Sequence, residues 1–312
     1  MSRVAAIDCG TNSIRLLVAD ADPGAGTLTE LDRRMEIVRL GQGVDRTGRF
    51  APEALQRTFA ACRSYAAAID ALGAERVRFV ATSASRDVAN RAEFERGVAD
   101  ILGTPPEVIS GGEEAALSFT GATRELLADP RVERPYLTAD IGGGSTEFVL
   151  GTERAAAARS VDVGCVRLTE RHLHSDPPAR GEVAAARTDI EKAIDAAAET
   201  VPIDDARTLV GLAGSVTTVA AIALDLPSYQ PERIHHSRIP ARQVRAVTDR
   251  LLAMTHEERA ALPVMHPGRV DVIGAGALIL QAVTERLGVP EVLVSEHDIL
   301  DGIVWHAALG GE

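Results

Sequence analysis

Lysine and cysteine are both scarce in this chain, and each scarcity excludes a class of site. Lys192 is the only lysine among 33 Lys and Arg residues, so the chain cannot contain a glycine-rich phosphate loop that ends in Gly-Lys-Ser/Thr. The three cysteines, at positions 9, 62 and 165, are odd in number and form no CxxC pair. They predict neither a disulfide framework nor a cysteine zinc site, and we expect reduced thiols.

Long hydrophobic runs are also missing, and acidic residues outnumber basic ones. No apolar stretch reaches the ~18 residues that span a bilayer, and the N-terminus lacks the apolar core of a secretory signal. The formal charge is −12 and the isoelectric point is near 5.2. Because this average field repels nucleic acid and anionic membranes, we expect neither as a partner. From the missing signal and membrane span we expect a cytoplasmic protein. An anionic substrate must therefore meet a local cationic site.

The first half of the chain alternates between strand and helix patterns. Its predicted elements are a three-stranded antiparallel meander over 3–8, 13–20 and 27–40, a helix over 52–73, a strand over 77–84, and helices over 87–102 and 113–128. Residues 129–135 have the composition of a linker. We therefore expect the first domain to end at residue 128.

The second half repeats the same order. Its predicted strands cover 136–140, 146–151, 155–164, 208–214 and 291–295, and its predicted helices cover 183–199, 241–253 and 268–287, with one more opening at Ser215. Alternation of this kind predicts an α/β protein with two mixed sheets. We expect domains over 1–128, joined by a C-terminal helix at about 297–312, and over 129–296.

Two loops of one design carry the chemistry. Without a gap, "AIDCGTNSIRLLV" from residue 6 aligns Asp8 with Asp140 of "ADIGGGSTEF", which begins at residue 139. Backbone N–H groups can converge on an anion in such loops, because glycine accepts positive φ and has no Cβ. The candidate phosphate-binding residues are Gly10, Thr11, Asn12, Ser13, Gly142, Gly143, Gly144, Ser145 and Thr146. The alternative is a pair of glycine-rich hairpins that bind no ligand.

An aspartate precedes each loop at the end of a predicted buried strand. A carboxylate beside phosphate is repulsive unless a cation neutralises it, and a hard divalent cation such as Mg²⁺ binds both. We therefore expect Asp8 and Asp140 to bind a metal ion or its water. Arg15 follows the first loop, but its side chain could point to either face of its strand.

Six motifs together resemble the exopolyphosphatase and guanosine pentaphosphate phosphohydrolase (Ppx/GppA) family, and within it the short two-domain actinobacterial type. They are "IDCGTNSIRLLVAD", "ATSASRDVAN", "VISGGEEAALSF", "ADIGGGSTEFVLG", "GCVRLTERHL" and "GLAGSVTTVAAI". The resemblance runs nearly end to end. It implies two ribonuclease H-like domains of the actin, Hsp70 and sugar-kinase type around a phosphate-binding cleft, and it suggests a homodimer.

The resemblance also implies roles for individual residues. It implies that Glu114 is the catalytic base and that Arg86 binds the substrate phosphates. It also implies a Mg²⁺ (or Mn²⁺) ion near Asp140. Gly214 and Ser215 lie in "GLAGSVTT", which resembles the nucleotide-side loop of the fold. Longer relatives carry further C-terminal helical domains that help to hold long polyphosphate, so a chain that stops at Glu312 is expected to prefer short polyphosphate or a nucleotide.

The residues themselves leave these roles open. Ser110 and Glu113 have the spacing of a capping box, which leaves Glu114 outside that structural role. Glu114 is interpreted equally well as a solvated acidic residue in the first turn of a helix. Arg86 follows a strand end, and its alternative is a surface arginine. His172, His174 and Asp176 have metal-like spacing, but two prolines follow and no second ligand cluster is evident, so no zinc site is expected. His235 and His236 are assigned to a loop.

Three hypotheses follow. The first is a Mg²⁺-dependent phosphohydrolase that removes terminal phosphate from short inorganic polyphosphate, with guanosine pentaphosphate as the alternative substrate. The second is an ATP-binding switch or kinase of the actin-like fold, which would use the same loops on ATP. The third is a catalytically weak protein that only binds polyphosphate or a nucleotide. Release of phosphate without ATP turnover separates the first from the second.

Overall fold

The computed structural model describes residues 2–86 and 88–310. The strands in these ranges are β1 (Ser2–Cys9), β2 (Ser13–Asp22), β3 (Thr27–Ile37), β4 (Arg76–Ala81), β5 (Glu107–Val108), β6 (Tyr136–Ile141), β7 (Thr146–Gly151), β8 (Ala155–Val161), β9 (Thr208–Leu212), β10 (Arg238–Pro240) and β11 (Glu291–Val294). None of the helices in the described part of the chain is long and apolar enough to cross a membrane.

The helices of the same ranges connect these strands. They are α1 (Val44–Thr47), α2 (Pro52–Leu72), α3 (Ser83–Arg86), α4 (Arg91–Leu102), α5 (Gly111–Thr123), α6 (Cys165–His172), α7 (Arg180–Ala198), α8 (Ala213–Ala223), α9 (Pro231–Ile234), α10 (Ala241–Ala253), α11 (His256–Ala260), α12 (Ile273–Leu287) and α13 (Ile299–Ala308). Short 3₁₀ turns cover Glu125–Ala128, Ile203–Asp205 and Pro267–Arg269. The chain divides into two compact units, unit 1 (Met1–Gly121 with Ile299–Glu312) and unit 2 (Ala122–Asp298).

The sheet of unit 1 has the strand order β3-β2-β1-β4-β5. Strands β1, β2 and β3 form the predicted antiparallel meander, whereas β4 and β5 run parallel to β1. The carboxyl ends of β1, β4 and β5 therefore lie at one edge of the sheet, which is where α/β proteins place their ligands. The loop that begins at Gly10, the helix α3 and the first turn of α5 follow these three ends directly.

Both faces of this sheet are covered, because alternate residues of each strand point to opposite sides. Ile7, Leu16 and Phe79 belong to the apolar cluster on one side, and α2 and α4 pack together in this unit. Val4, Leu17 and Val80 belong to the cluster on the other side, which α13 completes. Gly302 of α13 lies so close to the backbone of Leu117 in α5 that any side chain there would collide with it.

The sheet of unit 2 has the order β10-β11-β9-β6-β7-β8. Strands β6, β7 and β8 form a second antiparallel meander, and β9 and β11 extend it in parallel. Apart from the additional strand β10, this is the order of the first sheet, so the predicted repeat and the predicted mixed α/β class are confirmed. Helix α12 is buried along most of its length and forms the centre of the apolar core of this unit.

Several element ends differ from the prediction, and strand pairing explains two of them. The predicted strands over 77–84 and 208–214 stop at Ala81 and Leu212, where their partner strands β1 and β6 provide no further pairing. The chain then turns directly into α3 and α8. The helix predicted from Asp87 begins at Arg91, and Asp87 itself lies outside the described residues. The helix predicted to reach Ala128 ends at Thr123 and continues as a 3₁₀ turn, a common helix ending.

Candidate active site

The two glycine loops have the same backbone hydrogen bond at equivalent positions. The N–H of Gly10 donates to the carbonyl oxygen of Ser13 at 2.9 Å, and the N–H of Gly142 donates to the carbonyl oxygen of Ser145 at 3.0 Å. The alignment that matched Asp8 to Asp140 therefore matches two loops that fold in the same way.

Neighbouring segments hold the carbonyl groups of both loops. The carbonyl oxygen of Asn12 accepts the N–H groups of residues 38 and 39, and that of Gly143 accepts the N–H groups of residues 166 and 167. Gly10 and Gly142 are outside the left-handed φ region, so the expected use of positive φ is wrong at these two positions. A Cβ on Gly142 would lie 3.0 Å from the carbonyl oxygen of Ser145. Close backbone approach is therefore what requires glycine at position 142.

The residue opposite the aspartate distinguishes the two loops. Asp8 pairs across the strands with Arg15, and the Nη2 of Arg15 donates to Oδ2 of Asp8 at 2.6 Å. Asp140 pairs at the equivalent position with Glu147. Directly opposed residues point to the same face of a sheet. The first loop therefore adjoins an acidic and a basic residue, whereas the second loop adjoins two acidic residues. Glu147 is fully buried, and it was not among the residues that the sequence singled out.

In unit 1 the sequence-predicted residues form one connected group. The hydroxyl groups of Thr11 and Ser83 lie 3.0 Å apart, which joins the first loop to α3. Arg86, at the end of α3, donates through Nη2 to the carboxylate of Glu114 and through Nε to the carbonyl oxygen of Ile109 at 3.2 Å. Glu114 is nearly buried. The acid and the arginine that the resemblance identified are therefore direct partners.

The residue before Glu114 has a structural role. The N–H of Glu113 donates to Oγ of Ser110 at 3.1 Å, as a capping box requires. The Glu113 carboxylate pairs with Arg78 instead of returning to the helix start. Half of the predicted capping box is present, and Glu113 and Glu114 pair with different arginines.

In unit 2 a second group surrounds the start of α8. Ser215 hydrogen-bonds with the thiol of Cys165, whose pKa is raised by burial. The N–H of Cys165 donates to the carbonyl oxygen of Gly142 at 2.9 Å. Ala213 has φ of 67°, an uncommon left-handed conformation for a residue with a side chain. The "GLAGS" segment is therefore connected to the second glycine loop through α6.

Arg269 is the basic residue of this second group. A Cβ on Gly214 would lie 2.3 Å from the guanidinium carbon of Arg269, so the absence of a side chain at 214 makes room for that group. Nη1 of Arg269 donates to Oγ1 of Thr218 at 3.1 Å. The sequence did not point to Arg269, because it lies in a short 3₁₀ turn far along the chain from Gly214. The glycine before a serine at a helix start was the available signal.

Gly164 gives a test of how tightly the second loop is packed. A Cβ there would lie 2.4 Å from the carbonyl oxygen of Gly143, and backbone cannot move aside as the end of a side chain can. We expect Gly164→Ala to reduce the free energy of unfolding by about 1–3 kcal/mol, measured by urea denaturation. The matched control is Gly181→Ala in α7, where a Cβ meets nothing within 4 Å. Equal stability of the two variants would contradict the tight packing.

The repeated sheets, the paired glycine loops and the buried acids define an α/β protein with one candidate phosphate loop in each of its two units. The Ppx/GppA phosphatase family matches residues 17–309, and the chain belongs to this family. Exopolyphosphatase 2 of Mycobacterium tuberculosis is 52% identical over 97% of this chain and 98% of that protein.

Two solved structures are similar over nearly the whole length. An exopolyphosphatase-like protein is 42% identical with a TM-score of 0.94, covering 98% of this chain and 99% of that one. The Ppx/GppA enzyme of Aquifex aeolicus is 31% identical with a TM-score of 0.80, covering 97% of this chain and 99% of that one. The family resemblance and the fold class predicted from the sequence are confirmed.

Proposed function

We propose that this protein is an exopolyphosphatase that hydrolyses the terminal phosphoanhydride bond of inorganic polyphosphate and releases phosphate. The observation that carries the proposal is the buried contact between Arg86 and Glu114 in unit 1, beside a glycine loop that is repeated in unit 2. Hydrolysis of a phosphoanhydride needs a positioned water, a group that orients or deprotonates it, and cationic groups that offset the negative charge of the transferred phosphoryl group. The described residues include a candidate for each of the last two.

Glu114 is the candidate base in this proposal. Its carboxylate lies in the first turn of α5, nearly buried, and is held by the guanidinium of Arg86. Arg86 is in turn fixed by the carbonyl oxygen of Ile109. An anchored carboxylate can accept the proton of an attacking water without losing its orientation. Arg86 therefore positions the base, and it can also bind the phosphate that the activated water attacks.

Asp140 and Glu147 fit a Mg²⁺ ion better than Asp8 does. They are opposed across β6 and β7, both are buried, and carboxylate oxygens are the ligands that Mg²⁺ takes in proteins. Asp8 already meets a cation, because Arg15 donates to it at 2.6 Å. We therefore assign the ion to Asp140 and Glu147, and not to Asp8. When bound, Mg²⁺ supplies positive charge that offsets the negative charge of the substrate.

The phosphate-binding groups are revised in two respects. Thr146 is fully buried and donates its hydroxyl proton to the carbonyl oxygen of Val163 at 2.6 Å, so it no longer serves as a phosphate donor in the proposal. Arg269 is added, since its guanidinium lies over Gly214 at the start of α8. The candidate phosphate-binding groups are then the first glycine loop with Arg15 in unit 1 and the second glycine loop with Arg269 in unit 2. A chain of net charge −12 needs such cationic groups to bind a polyanion.

Phosphate release measured with Mg²⁺ tests the proposal. Short polyphosphate, long polyphosphate, guanosine pentaphosphate and ATP are compared, and we expect turnover of short polyphosphate without turnover of ATP. Turnover of guanosine pentaphosphate alone would give the protein the other activity of its family. Turnover of ATP alone would support the ATP-binding switch, and tight binding without turnover would support a binding protein.

The homodimer stays a prediction. Light scattering measures the molar mass in solution and would test it.

A further inference from the structure

Four ionisable side chains of unit 2 meet beside the carboxyl end of β11. Nε2 of His235 lies 3.1 Å from Oε2 of Glu125, and Nδ1 of His297 lies 3.5 Å from Oε1 of the same carboxylate. One ligand atom from each of the three residues lies within 4.8 Å of the other two. The ring of His236 stacks on that of His235 with centroids 3.7 Å apart. None of these residues has a part in the proposed hydrolysis.

Backbone contacts hold the three imidazoles in place. The N–H of His235 donates to the carbonyl oxygen of Pro231 at 2.8 Å, and the N–H of His236 donates to that of Val294 at 2.7 Å. His236 has φ of 59°, a conformation that a residue with a side chain adopts only where the surrounding structure enforces it. The N–H of His297 donates to Oγ of Ser295 at 3.1 Å. The cluster is therefore built into the fold.

The donor atoms of the cluster suit a transition-metal ion. Glu125 offers a carboxylate oxygen, and His235 and His297 each offer an imidazole nitrogen. One carboxylate with two imidazoles is a donor set that divalent transition metals prefer, whereas Mg²⁺ prefers oxygen alone.

We propose that Glu125, His235 and His297 bind one divalent transition-metal ion of the Zn²⁺ class. Two His and one carboxylate form a known tetrahedral donor set, in which water takes the fourth position. Ligand atoms at ~2.0–2.1 Å from a tetrahedral ion are about 3.4 Å apart. The nitrogens of His235 and His297 lie 3.1 and 3.5 Å from the two oxygens of Glu125, and one ligand atom of each residue lies within 4.8 Å of the others.

Binding has a consequence for His235. Its Nδ1 accepts the N–H of Glu296 at 3.2 Å, so Nε2 carries a ring proton and donates it to Glu125. An ion on Nε2 moves this proton to Nδ1, because the ring stays neutral as a ligand. Two N–H groups cannot share a hydrogen bond, so the contact with Glu296 must open. The amide of Glu296 therefore reports on occupancy.

The location gives the ion a structural role. Unit 2 begins at Ala122 and ends at Asp298, so Glu125 and His297 lie close to its two ends, and His235 comes from the segment before β10. An ion at this position fastens both ends of unit 2 to its interior. This site has different ligands from the pair Asp140 and Glu147, and its occupancy can be measured without any substrate.

Cobalt(II) is the probe that tests this proposal, because a tetrahedral Co²⁺ site that includes imidazole absorbs visible light. The full-length protein is stripped with chelator and titrated with Co²⁺ in excess Mg²⁺, which saturates oxygen-only sites. We expect one saturable Co²⁺ site per chain, with visible absorption that Zn²⁺ abolishes by displacement. The backbone amide resonance of Glu296 should shift as Zn²⁺ binds, at the same ratio of Zn²⁺ to protein at which Zn²⁺ displaces Co²⁺.

Variants decide which residues are responsible. His297→Gln and Glu125→Gln should each weaken Co²⁺ affinity by at least about tenfold. The matched control is His172→Gln, which removes a histidine whose Nε2 lies 2.7 Å from a carboxylate oxygen of Asp189, and we expect it to bind as the unchanged protein does. Each variant is first checked for its native circular dichroism. Absence of saturable binding, or equal affinity in His297→Gln and His172→Gln, would overturn the proposal.

Discussion

Replacing Glu114 by glutamine is expected to lower kcat for phosphate release by about 10²–10⁴-fold, the range that a positioned general base contributes. The amide oxygen of glutamine still accepts the hydrogen bond from Arg86, so the side chain should stay in place. It cannot take a proton from water. Binding of polyphosphate to the variant should therefore be retained while turnover is lost, as measured by phosphate release and by calorimetry.

The adjacent residue is a sharp control. Glu113→Gln changes the same group one position earlier, on a side chain that is partly exposed and pairs with Arg78. We expect its kcat to be unchanged. If Glu114→Gln were also active, Glu114 would have no part in the chemistry. If both variants were inactive, the cause would lie in the first turn of α5, which carries both residues.

The repeated loops were within reach of sequence analysis because they are local. The spacing of Asp, Gly and Ser in each copy is set by one tight turn, and the hydrogen bonds of Gly10 and Gly142 are the same at both positions. The capping residue Ser110 was also found from its local spacing, since its hydroxyl accepts the N–H of Glu113. Short-range geometry of this kind depends on a few neighbouring residues.

The other site residues depend on strand register and on contacts between distant segments. Glu147 is opposite Asp140 because of the length of the hairpin loop, and the alignment that matched Asp8 to Asp140 also matches Arg15 to Glu147. The two aligned segments therefore indicate a basic residue opposite the first aspartate and an acidic residue opposite the second. Arg269 meets Gly214 only in the folded chain, so the glycine before Ser215 indicates a close approach without identifying the residue that makes it.

The histidine cluster shows the same limit more strongly. Metal-like spacing in the sequence drew attention to His172, His174 and Asp176, yet Nε2 of His172 is paired with Asp189. The residues that do meet, Glu125 and His235, are 110 positions apart. Ligands for one ion can come from any part of a fold, so close spacing along the chain is a weak guide to them.

Neutralising Glu147 is expected to raise the Mg²⁺ concentration for half-maximal activity by at least about tenfold. Asp140 and Glu147 are the two carboxylates that oppose each other across β6 and β7, so Glu147→Gln leaves a single carboxylate for the ion. The hydroxyl of Ser160, which donates to Oε1 of Glu147 at 2.7 Å, can still donate to the amide oxygen of glutamine. The local fold should therefore be kept, and the effect should be confined to the ion and to the reaction that needs it.

The comparison with the first loop makes this prediction specific. Asp8 has the basic residue Arg15 opposite it, whereas Asp140 has the acidic residue Glu147 opposite it. Asp8→Asn should therefore leave the Mg²⁺ dependence of the rate unchanged, although it can alter the rate itself. Asp162→Asn, which neutralises an exposed acid of the same unit, is the surface control. If Asp8→Asn changed the Mg²⁺ concentration for half-maximal activity and Glu147→Gln did not, the ion would lie at the first loop and the assignment would be refuted.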